Sequence, residues 1–258
     1  MNRLEKYGPW AVVTGASDGI GREFARSLAA EGFKLVLVAR RNAALHSLAE
    51  ELSVESRVLA LDLSRAEGIS ALLESTRELD VGLLVAAAGF GTSGTFIDAQ
   101  LSEELSMIDV NVRAVASLAH HFGRLFSQRG RGGMVLFSSL LAFQGVPRAA
   151  NYAATKAWVQ SFAEGLQLEL APKGVDVIAC APGPIRSGFE KRADMKMSMA
   201  IGPEAVARGT LRALRGRGTT RPGWLSKFLE WSLMFLPRWG RVRALALVMN
   251  GMTKHQTG

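Results

Sequence analysis

The sequence predicts an α/β fold: a doubly wound parallel sheet with helices on both faces, formed as a single domain with a helical C-terminal extension. Three observations carry that expectation. Short apolar or β-branched runs alternate with longer segments of helical spacing, a glycine-rich turn follows the first run directly, and no Pro/Gly-rich linker interrupts the chain before about residue 185. Such alternation requires right-handed crossovers between parallel strands, which place helices on both sides of the sheet.

In chain order, the strand runs are AVVT at 11–14, KLVLVA at 34–39, RVLAL at 57–61, GLLVAA at 82–87, GMVLF at 133–137 and VDVIAC at 175–180. Each is nearly continuous in apolar residues, as strands buried on both faces read. Helical spacing fills the gaps at 20–31, 42–52, 65–79, 102–128 and 150–171.

At 258 residues, with 48% apolar and 21% charged residues, the chain can bury a sizeable core, and α/β folds of about 250 residues are routinely one unit. This composition excludes a disordered chain. The single cysteine, Cys180, excludes an internal disulfide framework and a cysteine-based zinc site, and fits a reducing compartment. The start, MNRLEKYGPW, lacks the apolar core of a secretory signal, and no apolar run approaches the ~20 residues of a spanning helix. The expected location is therefore cytoplasmic. The net charge of +8 is uneven: residues 205–258 hold ten Lys/Arg and the single acidic residue Glu230.

Gly15, Gly19 and Gly21 lie between the first strand and the first helix. Glycines there admit positive φ and let a pyrophosphate approach the helix N-terminus. Their G-x-x-x-G-x-G spacing departs from the G-x-G-x-x-G dinucleotide fingerprint. Asp18 within the turn either caps the helix or sets a negative charge near the phosphates. Downstream, Tyr152 and Lys156 stand four residues apart on one helix face. Ser139 follows the fifth strand, and Asn111 sits in the long helix before it.

With T-G-x-x-x-G-x-G at 14–21, Asn111, Ser139, Tyr152, Lys156 and Pro182–Gly183 in this order and spacing, residues 8–190 resemble the short-chain dehydrogenase/reductase family. The resemblance implies a Rossmann-like NADP-binding and catalytic domain at 1–200, followed by a basic, apolar helical extension at 201–258. The residues themselves suggest the chemistry. A tyrosine has a pKa of ~10, and a neighbouring ammonium favours its phenolate and pulls that value down. Tyr152 then exchanges a proton near neutral pH, and Ser139 donates to a substrate oxygen as charge develops. A carbonyl held by both groups beside a nicotinamide accepts hydride, or an alcohol returns it. By resemblance, Lys156 also grips the nicotinamide ribose, and Asn111 holds a water that links the lysine to a proton relay.

The second strand ends KLVLVARR. Arginine there suits the 2′-phosphate of NADP(H), where an acidic residue would suit the 2′-hydroxyl of NAD. Arg40 is the preferred contact because Arg41 serves equally as the solvated start of the next helix; Ser17 assists. Asp62 matches the position that meets the adenine amine, or else caps a helix with Ser64. The same resemblance brings Ile20, Leu63, Ala88 and Gly89 to the cofactor, with Pro182, Gly183, Ile185 and Ser187 around the nicotinamide. One departure stands out: Ala86-Ala87-Ala88-Gly89 replaces the usual N-N-A-G, losing an asparagine that braces the central strands.

No metal is expected, since adjacent His120 and His121 point in different directions. Cys180 reads as core, and Glu50–Glu51 and Glu103–Glu104 as solvated helix faces. Met195, Met197 and Met199 fall where the family carries a mobile substrate lid, or pack as plain core. In the tail, Trp224, Phe228, Trp231 and Phe235 recur at helical spacing, Pro237 and Gly240 interrupt, and a second helix begins near Arg241. This tail resembles the extension of hydroxysteroid and 3-ketoacyl reductases. It either covers the active site or a dimer partner, contacts a membrane peripherally through 224–250, or packs on its own core. The expected substrate is a small apolar ketone or secondary alcohol, steroid-like or long-chain acyl. A homodimer through 102–128 and 150–171 and no nucleic-acid partner are also expected. The alternative is a catalytically idle NADP-binding interaction protein.

Overall fold

A computed structural model describes residues 2–195, 200–216, 218–223 and 235–256. Its sheet comprises β1 (Trp10–Thr14), β2 (Lys34–Ala39), β3 (Ser56–Ala60), β4 (Val81–Ala86), β5 (Gly132–Phe137), β6 (Val175–Cys180) and β7 (Thr219–Thr220). The order is β3-β2-β1-β4-β5-β6-β7, with every neighbouring pair parallel. The helices are α1 (Arg3–Tyr7), α2 (Gly19–Ala30), α3 (Asn42–Glu51), α4 (Ala66–Ser75), α5 (Leu101–Ile108), α6 (Val115–Arg129), α7 (Ala150–Leu170), α8 (Gly188–Arg192), α9 (Pro203–Ala213) and α10 (Arg238–Met252).

Alternate residues along a strand face opposite sides, and here both sides are apolar. Val12, Val36, Leu84, Leu136 and Val177 pack with Leu72 of α4, Phe122 and Phe126 of α6 and Val159 of α7. Val13, Leu37, Val85, Val135 and Ile178 pack with Phe24 and Leu28 of α2, Leu45 and Leu48 of α3 and Leu211 of α9. The sheet is thus sandwiched between two helical layers, which accounts for the continuous apolar runs. Strand order reverses between β1 and β4, and a crevice at their carboxyl ends is where open α/β sheets hold ligands.

The helix expected over 102–128 is not uniform. Between α5 and α6, Asp109–Ala114 forms a wider π-helical turn, a local loosening often found at functional sites. The sheet also continues past residue 200: α9 packs on the α2 side of the sheet, and Thr219 and Thr220 pair with Ala179 and Cys180. Helix α10 starts at Arg238, earlier than expected, with Pro237 at its N-cap and Gly240 inside it. Trp224, Phe228, Trp231, Met197 and Met199 lie outside the described residues. Among those described, no helix is long and apolar enough to cross a membrane.

Candidate active site

The glycine turn is built by close approach. Gly15 has φ +68°, and a Cβ there would lie 2.8 Å from the Ala87 carbonyl oxygen. A Cβ on Gly21 would lie 2.3 Å from the Gly15 carbonyl oxygen. The spacing that departs from G-x-G-x-x-G thus brings β1, β4 and α2 together where a side chain would intrude. At the Ala86-Ala87-Ala88-Gly89 departure, the Thr14 hydroxyl accepts the Ala88 N–H at 3.0 Å, tying the ends of β1 and β4.

From this turn a groove runs across the carboxyl ends of the strands. It is lined by Gly15, Ser17, Asp18, Gly19, Ile20, Gly21, Arg40, Arg41, Asp62, Leu63, Ala88, Gly89 and Ser187. Asp18 is the N-cap of α2, accepting the Gly19 N–H at 2.7 Å. Its other oxygen lies 3.5 Å from Arg41. The carboxylate that raised a question beside phosphates is therefore partly neutralised. Arg41 also donates to the Ser17 carbonyl at 2.9 Å and reaches the Ser17 hydroxyl at 3.3 Å. Arg41 is the N-cap residue of α3, yet its guanidinium folds back onto the glycine loop, and both Arg40 and Arg41 line the groove. Asp62 accepts both the N–H and the hydroxyl of Ser64, at 2.9 and 2.8 Å. Burial raises its pKa, but the Ser64 bonds with Arg40 and Arg65 outweigh it and hold the carboxyl below its usual range.

An apolar pocket adjoins the groove. Ile20, Ala87, Gly89, Ser187 and Phe189 line both. Ser139, Tyr152, Lys156, Pro182, Gly183 and Ile185 lie in the pocket. The end of β5 is fixed to α7 at this point: Lys156 Nζ donates to the Phe137 carbonyl at 2.9 Å, and the Ser138 hydroxyl donates to the Lys156 carbonyl at 3.2 Å. The Leu140 N–H donates to Pro182 at 3.0 Å, joining the Ser139 turn to the loop after β6.

Tyr152 and Lys156 are both buried, and this changes their expected electrostatics. Burial pushes the Tyr152 phenol up to about 12, with Ser139 acting in the opposite direction. Burial pushes Lys156 down to about 8. The expected lowering of the tyrosine by the lysine is not found, because desolvation penalises both charged forms. The ammonium is turned toward Phe137 and stands 5.8 Å from the Tyr152 ring centroid. Burial thus favours a protonated phenol at Tyr152 while opposing the charge on Lys156, an acid-poised pair.

Asn111 does not line the pocket. Buried in the wide turn between α5 and α6, it accepts the Phe90 N–H at 3.1 Å and donates to the Phe90 carbonyl at 2.9 Å and to Thr155 at 3.1 Å. It clamps the segment after β4 against α7 and so positions the neighbours of Tyr152 and Lys156. Gly89 leaves a gap beside it, since a Cβ there would sit 2.9 Å from Asn111 Oδ1 and 3.4 Å from Lys156 Nζ.

Several contributors escape sequence reasoning. Phe189 of α8 packs on Tyr152, with ring centroids 5.4 Å apart. Gly91 makes the room: its Cβ would be 2.8 Å from Phe189 and 3.0 Å from Tyr152. The repeat G-F-G at 89–91 was the available signal. Glu104, expected on a solvated face, is buried; it accepts the Thr92 hydroxyl at 2.6 Å and the Asn151 amide at 2.7 Å, beside the first turn of α7. The far pocket wall comes from Leu245, Val248, Met249 and Met252 of α10, with Met195. Thus the described part of the tail covers this pocket. Gln256 anchors it by bonding Ser93, Arg148 and Asp194, all at 2.8 Å. Arg148 and Asp194 are the two non-glycine residues with positive φ among those described, at 63° and 49°, a strain that persists only where surrounding contacts hold it. No cluster of potential metal ligands occurs among the described residues, and Cys180 is buried against Thr210.

Residues 9–198 match the sequence model of the family described as short chain dehydrogenase. A 7β-hydroxysteroid dehydrogenase of Clostridium sardiniense is 34% identical over 235 residues, covering 88% of this chain and 90% of that protein. A very-long-chain 3-oxoacyl-CoA reductase of Podospora anserina is 37% identical over 186 residues, 69% of this chain and 55% of its own length. Among solved structures, a short-chain dehydrogenase from Sphingobium yanoikuyae in complex with NADPH superposes with a TM-score of 0.80 at 29% identity, over 90% of this chain and 97% of that one.

Proposed function

We propose that this chain, which belongs to the short chain dehydrogenase family and is an oxidoreductase, transfers hydride between NADP(H) and a ketone or secondary alcohol of a bulky apolar substrate. One observation carries the reading: Ser139, Tyr152 and Lys156 face an apolar pocket that joins a groove bearing Arg40 and Arg41.

The groove fits a dinucleotide because the backbone cradle at Gly15 and Gly21 excludes side chains, Arg41 borders Ser17 and Arg40 lines the same groove. Gly15 through Gly21 would hold the pyrophosphate at the α2 N-terminus, Arg40 and Arg41 the 2′-phosphate, and Asp62 and Leu63 the adenine. Lys156, Ile185 and Ser187 would surround the nicotinamide, which when bound supplies or accepts hydride. Tyr152, held protonated by burial, donates its proton to the substrate carbonyl oxygen, while the Ser139 hydroxyl stabilises the charge developing there. Lys156 adds positive charge behind the phenol. In the reverse direction Tyr152 must first lose its proton, so the same burial makes oxidation favour alkaline pH.

The pocket wall of Leu141, Phe189, Leu245, Met249 and Met252 offers few polar partners. It suits a rigid steroid-like body or a long acyl chain, and the methionines adapt to irregular shape. The relatives named for hydroxysteroid and 3-oxoacyl-CoA substrates support these two classes. The test is to mix the purified protein with NADPH or NADH and ketones of graded bulk, following absorbance at the nicotinamide band. Turnover of bulky apolar ketones with NADPH is expected. Reduction should fall as pH rises through about 8, where Lys156 loses its proton, and a flat profile to pH 10 would remove the ammonium from the mechanism. Binding of NADPH without turnover of any ketone or alcohol would favour an idle binding protein instead.

A homodimer is part of the same reading. Leu101, Leu105 and Ile108 form an exposed apolar stripe on α5, 63%, 51% and 37% exposed, with Leu125 of α6 and Leu168 of α7 also exposed. Stripes of this kind mark association surfaces. Leu105→Glu is expected to halve the mass measured by light scattering, and an unchanged mass would remove this face from the interface.

A further inference from the structure

Helix α8 ends at Arg192, a residue to which the catalytic reading assigns no task. Its guanidinium carbon lies 3.9 Å from the centroid of the Phe90 ring, a distance at which a planar cation stacks on an aromatic face. Phe90 is itself fixed by both of its backbone bonds to Asn111. Arg192 lines the same groove as the glycine turn, Arg40, Arg41 and Asp62. It makes no ion pair among the described residues.

The charges facing it are Arg40, which repels it, and Glu103 and Asp62, which attract it; with burial acting first, the balance holds the guanidinium below its usual pKa range. Three arginines converging on one groove repel each other. An anion set among them relieves that repulsion, and guanidinium groups match phosphate oxygens with paired hydrogen bonds. The base of α8 already lies over the phosphate turn, since a Cβ on Gly19 would be 2.9 Å from Cβ of Ser187. The Phe90 ring then sets the height at which the guanidinium crosses the groove.

We propose that Arg192, stacked on Phe90, is a third phosphate-binding arginine of the cofactor groove, brought over the dinucleotide by the helix that also carries Phe189 onto Tyr152. This rests on the nicotinamide-cofactor reading above. It goes beyond that reading by placing a cofactor contact on the substrate side of the site, so that one short helix serves both ligands. Two phosphate groups are candidates, the 2′-phosphate and the pyrophosphate, and their chemistry toward a guanidinium is the same.

The test measures binding of NADPH and of NADH by fluorescence titration of the full chain, for wild type, Arg192→Gln and Arg192→Lys. Unfolding temperature serves as a control for each variant. Arg192→Gln is expected to weaken binding about 10-fold, the scale of one charge-assisted hydrogen bond, without lowering the unfolding temperature. Arg192→Lys should recover part of the loss, because it keeps the positive charge that meets the phosphate. Weakening confined to NADPH assigns the 2′-phosphate, and equal weakening of both cofactors assigns the pyrophosphate. Unchanged affinity for both, or a loss that tracks a lowered unfolding temperature, overturns the proposal. If wild type binds NADH in preference to NADPH, the NADP reading fails while the effect of Arg192→Gln on NADH still decides the role of Arg192.

Discussion

Tyr152→Phe is expected to lower turnover of any ketone or alcohol by about 10³-fold, the usual range for loss of a general acid or base, while NADPH binding stays within about twofold of wild type. The substitution removes one oxygen and leaves the ring that packs on Phe189 and borders Gly91. Stability should change little, because the phenol's most evident polar neighbour is Ser139 and the site is otherwise apolar. Stopped-flow or steady-state absorbance measures turnover, and fluorescence titration measures the cofactor. A variant retaining more than a tenth of wild-type turnover would show that the proton comes from another group, and the acid-poised pair would lose its meaning.

The second large effect belongs to the arginines at the end of β2. Replacing Arg40 and Arg41 together by alanine is expected to weaken NADPH binding about 100-fold, roughly 2.7 kcal/mol, and to change NADH binding less than threefold. Two charge-assisted contacts to a phosphate account for that magnitude. Arg41 adds to it indirectly, because its removal leaves the Asp18 carboxylate without its neighbouring cation beside the glycine turn. The variant should therefore invert the cofactor ratio. An equal loss for both cofactors would mean that the arginines hold the loop's shape through Ser17 rather than recognise a phosphate.

Much of the architecture was legible in the sequence because the parallel sheet is covered on both faces. Burial on two sides leaves unbroken apolar runs at β1, β2 and β4, and these stand out without knowledge of the partners. The meeting of Ser139, Tyr152 and Lys156 was legible for a related reason: a short loop and one helical turn suffice to bring them to one pocket. What escaped depends on long-range geometry. Residue types do not encode the desolvation that pushes Tyr152 up and Lys156 down. Arg40 and Arg41 are indistinguishable by type, and only the direction of the chain leaving β2 sends the second back to Ser17. Glu104 resembles any helix-surface carboxylate until Thr92 and Asn151 are folded onto it. The wide turn at Asn111 has the same local composition as the helix around it.

The pocket wall on α10 has a consequence for how such a chain diversifies. Most groove residues fall between Gly15 and Gly89, with a second group from Ser187 to Arg192; Ser139, Tyr152 and Lys156 come from the middle of the chain, and the far pocket wall falls between Leu245 and Met252. On the proposed function, selection for a new substrate works on a late stretch that contributes no strand, leaving the dinucleotide groove largely untouched. On the same reading, drift in that stretch would change what is reduced before it changes whether reduction occurs. Substrate preference in descendants of this chain should accordingly diverge faster than cofactor chemistry, with variation concentrated where the sheet does not constrain it.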